Sequence, residues 1–252
     1  MLYKSLLLLH ICSAVVGLLA GFMAMVFRKG SGLHAAAGNV FFVSMLSMSG
    51  AGAYMAAFIR PNNGNVMGGA LLFYMVATAW MAARRRERET GIFDWSALLV
   101  VLAIGAAGAT WGFQAAHSQT GLKDGYPPGL YFVFASIALL FVASDVRLIV
   151  RGGVSGTQRI ARHLIRMSLA LLFATFSLYP GQGRLFPRAL RETNFLYVPH
   201  VLIIGAMLWG LYRVSVRRRV QQNNVTSVRH GDVLTGVFGV AEPVWSKQEK
   251  RA

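Results

Sequence analysis

The chain has 252 residues, 55% of them hydrophobic and 13% charged, with 25 Lys and Arg against 9 Asp and Glu. Its single cysteine, Cys12, excludes an intrachain disulfide. The net charge of +16 sits at the ends of apolar stretches rather than along one groove, which speaks against a nucleic-acid partner and for the anionic face of a lipid bilayer.

Seven apolar stretches follow one another at 5–27, 34–59, 66–83, 95–116, 129–150, 163–182 and 195–213. A helix of roughly 20 residues crosses a hydrocarbon core of about 30 Å, and each stretch is close to or above that length. The expected fold is an all-α, seven-helix transmembrane bundle over 1–215, followed by a basic, largely flexible tail over 216–252. The first stretch is longer than the apolar part of a signal peptide and is read as a helix. It carries His10, Gly17 and Gly21, and Cys12 is expected to be a small buried core residue there. Gly105, Gly108 and Gly112 give the fourth stretch the same small-residue spacing that lets helices approach closely. Tyr3, Trp95, Tyr126 and Tyr197 are among the aromatics placed for interfacial belts.

The connections alternate in charge. One side collects Arg28 and Lys29, then Arg84, Arg85, Arg86 and Arg88, then Arg147, Arg151, Arg159, Arg162 and Arg166, and finally the tail. The other side holds Lys4, Arg60, Lys123, Arg184, Arg188 and Arg191. The positive-inside rule then predicts the N-terminus outside and the C-terminus in the cytoplasm. The outer connection 117–128, with Gly121, Gly125, Pro127 and Pro128, reads as an ordered turn. The outer segment 180–194 is broken by Pro180, Gly181, Gly183 and Pro187, and should turn and then lie along the surface.

Polar residues inside or near the spans are the candidates for function, because an ionisable group costs about 2.5–3.5 kcal/mol at mid-bilayer. His10, His117 and His200, with Gln182, belong to the outer side; His34, His163, Asp145, Arg162 and Arg166 belong to the inner side. Asp145 is the one acid within these stretches, and Arg147 or Arg166 is expected to pair with it.

Three functions suit these residues. In the first, His34 with His163, and His10 with His200, ligate haem, making a redox-linked membrane protein. The absence of a Cys-x-x-Cys-His motif excludes covalent attachment. In the second, Asp145, Arg162 and Arg166 inside, with Gln182 and His117 outside, mark a substrate or proton path in a small-molecule transporter. In the third, the chain is an assembly partner for itself or another membrane protein. The outer histidine trio has the right number of ligands for zinc, but no His-Glu-x-x-His motif accompanies it and no metal is assigned. Nucleotide loops and nucleophile elbows are missing as well, so no catalytic residue is proposed.

Two segments carry a family resemblance. One runs from Leu9-His10-Ile11 and Gly17 through Arg28-Lys29-Gly30, His34 and Gly38 to Ser44-Met45. The other runs from Asp145-Val146-Arg147 through Arg159-Ile160-Ala161-Arg162-His163-Leu164-Ile165-Arg166-Met167 to Gly181-Gln182, Arg191 and Pro199. Together they resemble a family of bacterial multi-pass membrane proteins without an established activity. The resemblance implies the same topology and a place in the bacterial cytoplasmic membrane. Ala35 departs from the basic residue that the family pattern has after this histidine.

Overall fold

A computed structural model describes residues 1–84, 89–179 and 181–237, with only the backbone of 218 and 220–237. The basic residues Arg85, Arg86 and Arg88 and the tail beyond 237 lie outside the described residues, as does Pro180. The described chain is helical: α1 Leu2–Val26, α2 Gly32–Tyr54, α3 Asn63–Arg84, α4 Ile92–Ala116, α5 Pro128–Val150, α6 Gly156–Leu178, α7 Arg188–Arg191 and α8 Val198–Val237. A π-turn over Met55–Ile59 extends α2, and no strand occurs among the described residues. Seven of these helices are long and apolar enough to cross a membrane, so the chain is a multi-pass, all-α membrane protein.

The helix ends follow from local chemistry. Ser31 caps α2 by accepting the His34 backbone N–H at 3.2 Å. The Asp94 carboxylate accepts the Gly91 N–H at 2.8 Å at the start of α4. Pro128 opens α5, and Gly152 (φ 64°) and Gly153 (φ 112°) close it in the left-handed region. Lys29 donates to the Ala24 and Met25 carbonyls at 2.7 and 3.0 Å, covering the end of α1; partial burial lowers its pKa from the usual lysine value.

Residues Met1–Leu211 form one compact unit around α3, which touches α2, α4, α5 and α6. Its Met67, Leu71, Met75, Val76 and Ala79 are all buried. Large aliphatic side chains such as Leu19, Leu99, Leu140, Val201 and Leu202 point outward instead, as lipid-facing surface does. The helices approach closely where side chains are missing: a Cβ on Gly69 would lie 3.0 Å from the Ser49 carbonyl oxygen, and one on Gly21 would meet Leu171 and Phe41 at 2.7 and 2.9 Å. The connection 117–127 is an ordered turn. Asp124 accepts the Asn63 N–H at 2.9 Å, and the Tyr131 hydroxyl donates to the Lys123 carbonyl at 3.0 Å.

Two expectations change. The sixth span begins at Gly156, not 163, so Arg159 and Arg162 lie within the helix. A hydropathy reading starts too late because the first two turns of α6 are polar, with Arg162 and His163 bonded to neighbouring helices. Cys12 is exposed rather than buried; α1 is apolar all round, so its sequence does not show which face turns inward. The helix that begins at Val198 runs to Val237, and the described residues from Tyr212 onward cluster as a separate unit.

Candidate functional site

Asp145 lies on the inward stripe of α5 with Ala138, Phe141 and Leu148, the three- and four-residue spacing of one helix face. Arg147, two residues on, points away and is exposed. The partners of Asp145 therefore come from other helices. Its Oδ1 accepts from Arg162 Nη2 at 2.6 Å and from Arg166 Nη2 at 2.5 Å, both on α6. Its Oδ2 accepts from the Tyr74 hydroxyl on α3. Arg162 also donates through Nη1 to Ser144 Oγ at 3.0 Å. The Arg166 guanidinium lies 5.0 Å from the Tyr74 ring centre and 4.9 Å from that of Phe141, within the range of cation–π attraction.

This cluster ties α3, α5 and α6 together out of reach of solvent: Asp145 is 2% exposed and Arg166 1%. One carboxylate faces two guanidinium groups, so the cluster carries surplus positive charge, and Arg166 Nη1 has no acceptor. Charges held this way are costly to bury, and removing one partner is costlier still. A cleft opens beside the cluster, on the end of the bundle where the α1–α2, α3–α4 and α5–α6 connections lie. Thr78, Glu89, Asp94, Arg159 and Arg162 line it, and Asp145 forms part of its wall. Met81, Ala82, Phe93, Ala97, Leu148 and Val154 make up the rest of the wall, so charged side chains of both signs stand in a largely apolar cleft beside the buried Asp145.

The inner histidines are brought to one level. Phe41 of α2 and Leu171 of α6 meet over Gly21, and His34 and His163 each lie roughly two turns before those residues on helices running the same way. His34 Nδ1 donates to the Ala24 carbonyl and His163 Nδ1 to the Ala79 carbonyl, each at 3.0 Å. A carbonyl only accepts, so in the neutral rings Nε2 keeps its lone pair, the state an iron ligand requires. Among the described residues, no three of His, Cys, Asp and Glu come together to hold a metal ion.

The outer residues are dispersed. His10 Nδ1 donates to the Met48 carbonyl at 2.8 Å, between α1 and α2. His200 packs against Phe176 of α6 and Tyr179 just past its end, so the two histidines occupy different helix seams. His117 is exposed and donates to the Phe113 carbonyl of its own helix at 2.9 Å. Gln182 lies exposed in the turn after α6, its backbone N–H donating to the Leu178 carbonyl at 3.0 Å.

Tyr74, Ser144, Glu89 and Asp94 are site residues that sequence reasoning missed. A tyrosine hydroxyl in mid-span needs a partner once buried, which is the one signal that singles out Tyr74. Serines at membrane depth are mostly helix-bound, as Ser49 and Thr175 are here, each donating to a carbonyl of its own helix. No protein-family model matches the chain, and no characterised protein or solved structure shows significant similarity to it.

Proposed function

We propose that this is a membrane carrier for a small dipolar solute, which binds in the cleft beside Asp145. The observation that carries the reading is the cleft itself: acidic Glu89 and Asp94 and basic Arg159 and Arg162 line one space that ends at a buried carboxylate. A solute carrying both an ammonium and a carboxylate group would find complementary charge there, and a buried, hydrogen-bonded cluster gives such a site fixed geometry. The alternation of Lys and Arg between the connections supports an N-terminus outside and a C-terminus in the cytoplasm, which opens this cleft to the cytoplasm. The Arg-His-Leu-Ile-Arg-Met string and the segments around it support membership of the resembled bacterial family, and with it the cytoplasmic membrane. Haem ligation by His34 and His163 is the second reading, favoured by their common level and by the shared state of their rings.

The two readings separate in one preparation, the full chain purified in detergent after haem-replete expression. A panel of zwitterionic amino acids and betaines, at millimolar concentration, is scored by thermal unfolding. A ligand at a hundred times its Kd adds about 2.7 kcal/mol, enough to raise the melting temperature by several degrees. The carrier reading predicts such a rise for at least one solute, diminished in Glu89→Gln, and a colourless protein. No rise across the panel would sink it, and a Soret band lost in His34→Ala would put the redox reading in its place.

A further inference from the structure

His200 differs from the other histidines of the bundle. His10, His34, His117 and His163 each donate Nδ1–H to a backbone carbonyl, whereas His200, only 4% exposed, has no hydrogen-bond partner at either ring nitrogen. An imidazole carries a donor or acceptor at each nitrogen, and leaving them buried and unmade is unfavourable. Around it stand aromatic rings. The ring centre of Phe176 lies at 4.8 Å, that of Tyr197 at 6.0 Å and that of Tyr179 at 6.1 Å, with Phe186 stacked on Tyr179.

The surroundings restrict what can satisfy this imidazole. Phe176 and Tyr197 are about half exposed, and Val201 and Leu202, next along α8, are exposed apolar side chains of the kind that face lipid. A ligand reaching His200 across that flank arrives from the bilayer, not from water. Neither ring nitrogen has a hydrogen-bond partner, and the rings packed against the imidazole are all carbocyclic aromatics. Flat aromatic walls with one hydrogen-bonding point suit a planar ring that carries a carbonyl or hydroxyl oxygen.

We propose that His200, Phe176, Tyr179 and Tyr197 form a site for the head group of a lipid-soluble quinone, with an imidazole N–H donated to a ring carbonyl oxygen. It is a binding site, separate from the cleft at Asp145, and does not depend on the function assigned to that cleft.

The test is a titration of the detergent-purified full chain with decylubiquinone, followed by quenching of its intrinsic fluorescence, with decylbenzene as the ring lacking oxygens. Expected is saturable quenching by the quinone alone, unchanged in His117→Leu. Loss of one hydrogen bond should make it about tenfold weaker in His200→Leu. His200→Gln, which keeps a donor, should retain most of the affinity. Tyr197→Ala, which removes one aromatic wall and keeps the imidazole, should also weaken binding, and it serves in place of His200→Leu if that variant does not fold. Equal binding by wild type, His200→Leu and Tyr197→Ala would overturn the assignment, as would quenching that never saturates or that decylbenzene reproduces.

Discussion

Replacing Asp145 with alanine is expected to destabilise the bundle by about 3–5 kcal/mol, because it leaves two buried guanidinium groups without a counter-charge. Arg162 and Arg166 would then face each other across an empty position, and the Tyr74 hydroxyl would lose its acceptor. In thermal unfolding of the detergent-solubilised protein, that corresponds to a fall of about 10 °C in Tm. The triple variant Asp145→Leu, Arg162→Met, Arg166→Met should recover most of the loss, since well-packed apolar groups of similar volume often replace a buried ion cluster without penalty. An Asp145→Ala protein as stable as wild type would show that the cluster does not hold α3, α5 and α6 together.

The second large effect concerns glycines whose surroundings differ. A Cβ at Gly69 would lie 3.0 Å from the Ser49 carbonyl oxygen and 3.2 Å from the Ala53 backbone nitrogen, so it would press on the backbone of α2. Gly69→Leu should therefore cost at least about 1–3 kcal/mol through overpacking between α2 and α3. At Gly105 the nearest atom, Ala138 Cβ, is 3.6 Å away, an ordinary contact. Gly105→Ala should be neutral or gain up to about 1 kcal/mol from helix propensity. Both changes are read in the same unfolding assay. A Gly69→Leu protein as stable as Gly105→Ala would contradict the close approach of α2 and α3.

These two glycines show how much of the fold the sequence discloses. Spans are legible because crossing a membrane demands about 20 apolar residues in a row, whatever their contacts. Which glycine touches backbone is not legible, because it depends on how two helices are rotated about their axes. Cys12 was misplaced for the same reason: α1 is apolar on every side and carries no mark of its inward face.

The candidate site was legible in part. Asp145 stood out as a rare acid at membrane depth, and Arg166 was among its expected partners. Arg147, the neighbour in sequence, was the other, and it turned out to lie on the opposite face of α5. Arg162 and Tyr74 join the cluster through the association of α5 with α6 and α3. Nothing local to either residue announces that association. His34 and His163 could be grouped from topology alone, whereas the isolation of His200 depends on which side chains failed to reach it.

The proposed carrier requires the cleft beside Asp145 to open to the cytoplasm, and thiol accessibility tests this most directly. With Cys12→Ala removing the native thiol, Ala97→Cys places a reporter in the cleft wall and Thr120→Cys one in the exposed connection at the opposite end. A membrane-impermeant maleimide is applied to inside-out and to right-side-out vesicles. The account predicts labelling of Ala97→Cys only in inside-out vesicles and of Thr120→Cys only in right-side-out ones. Labelling of Ala97→Cys from the outside, or in neither preparation, would contradict it.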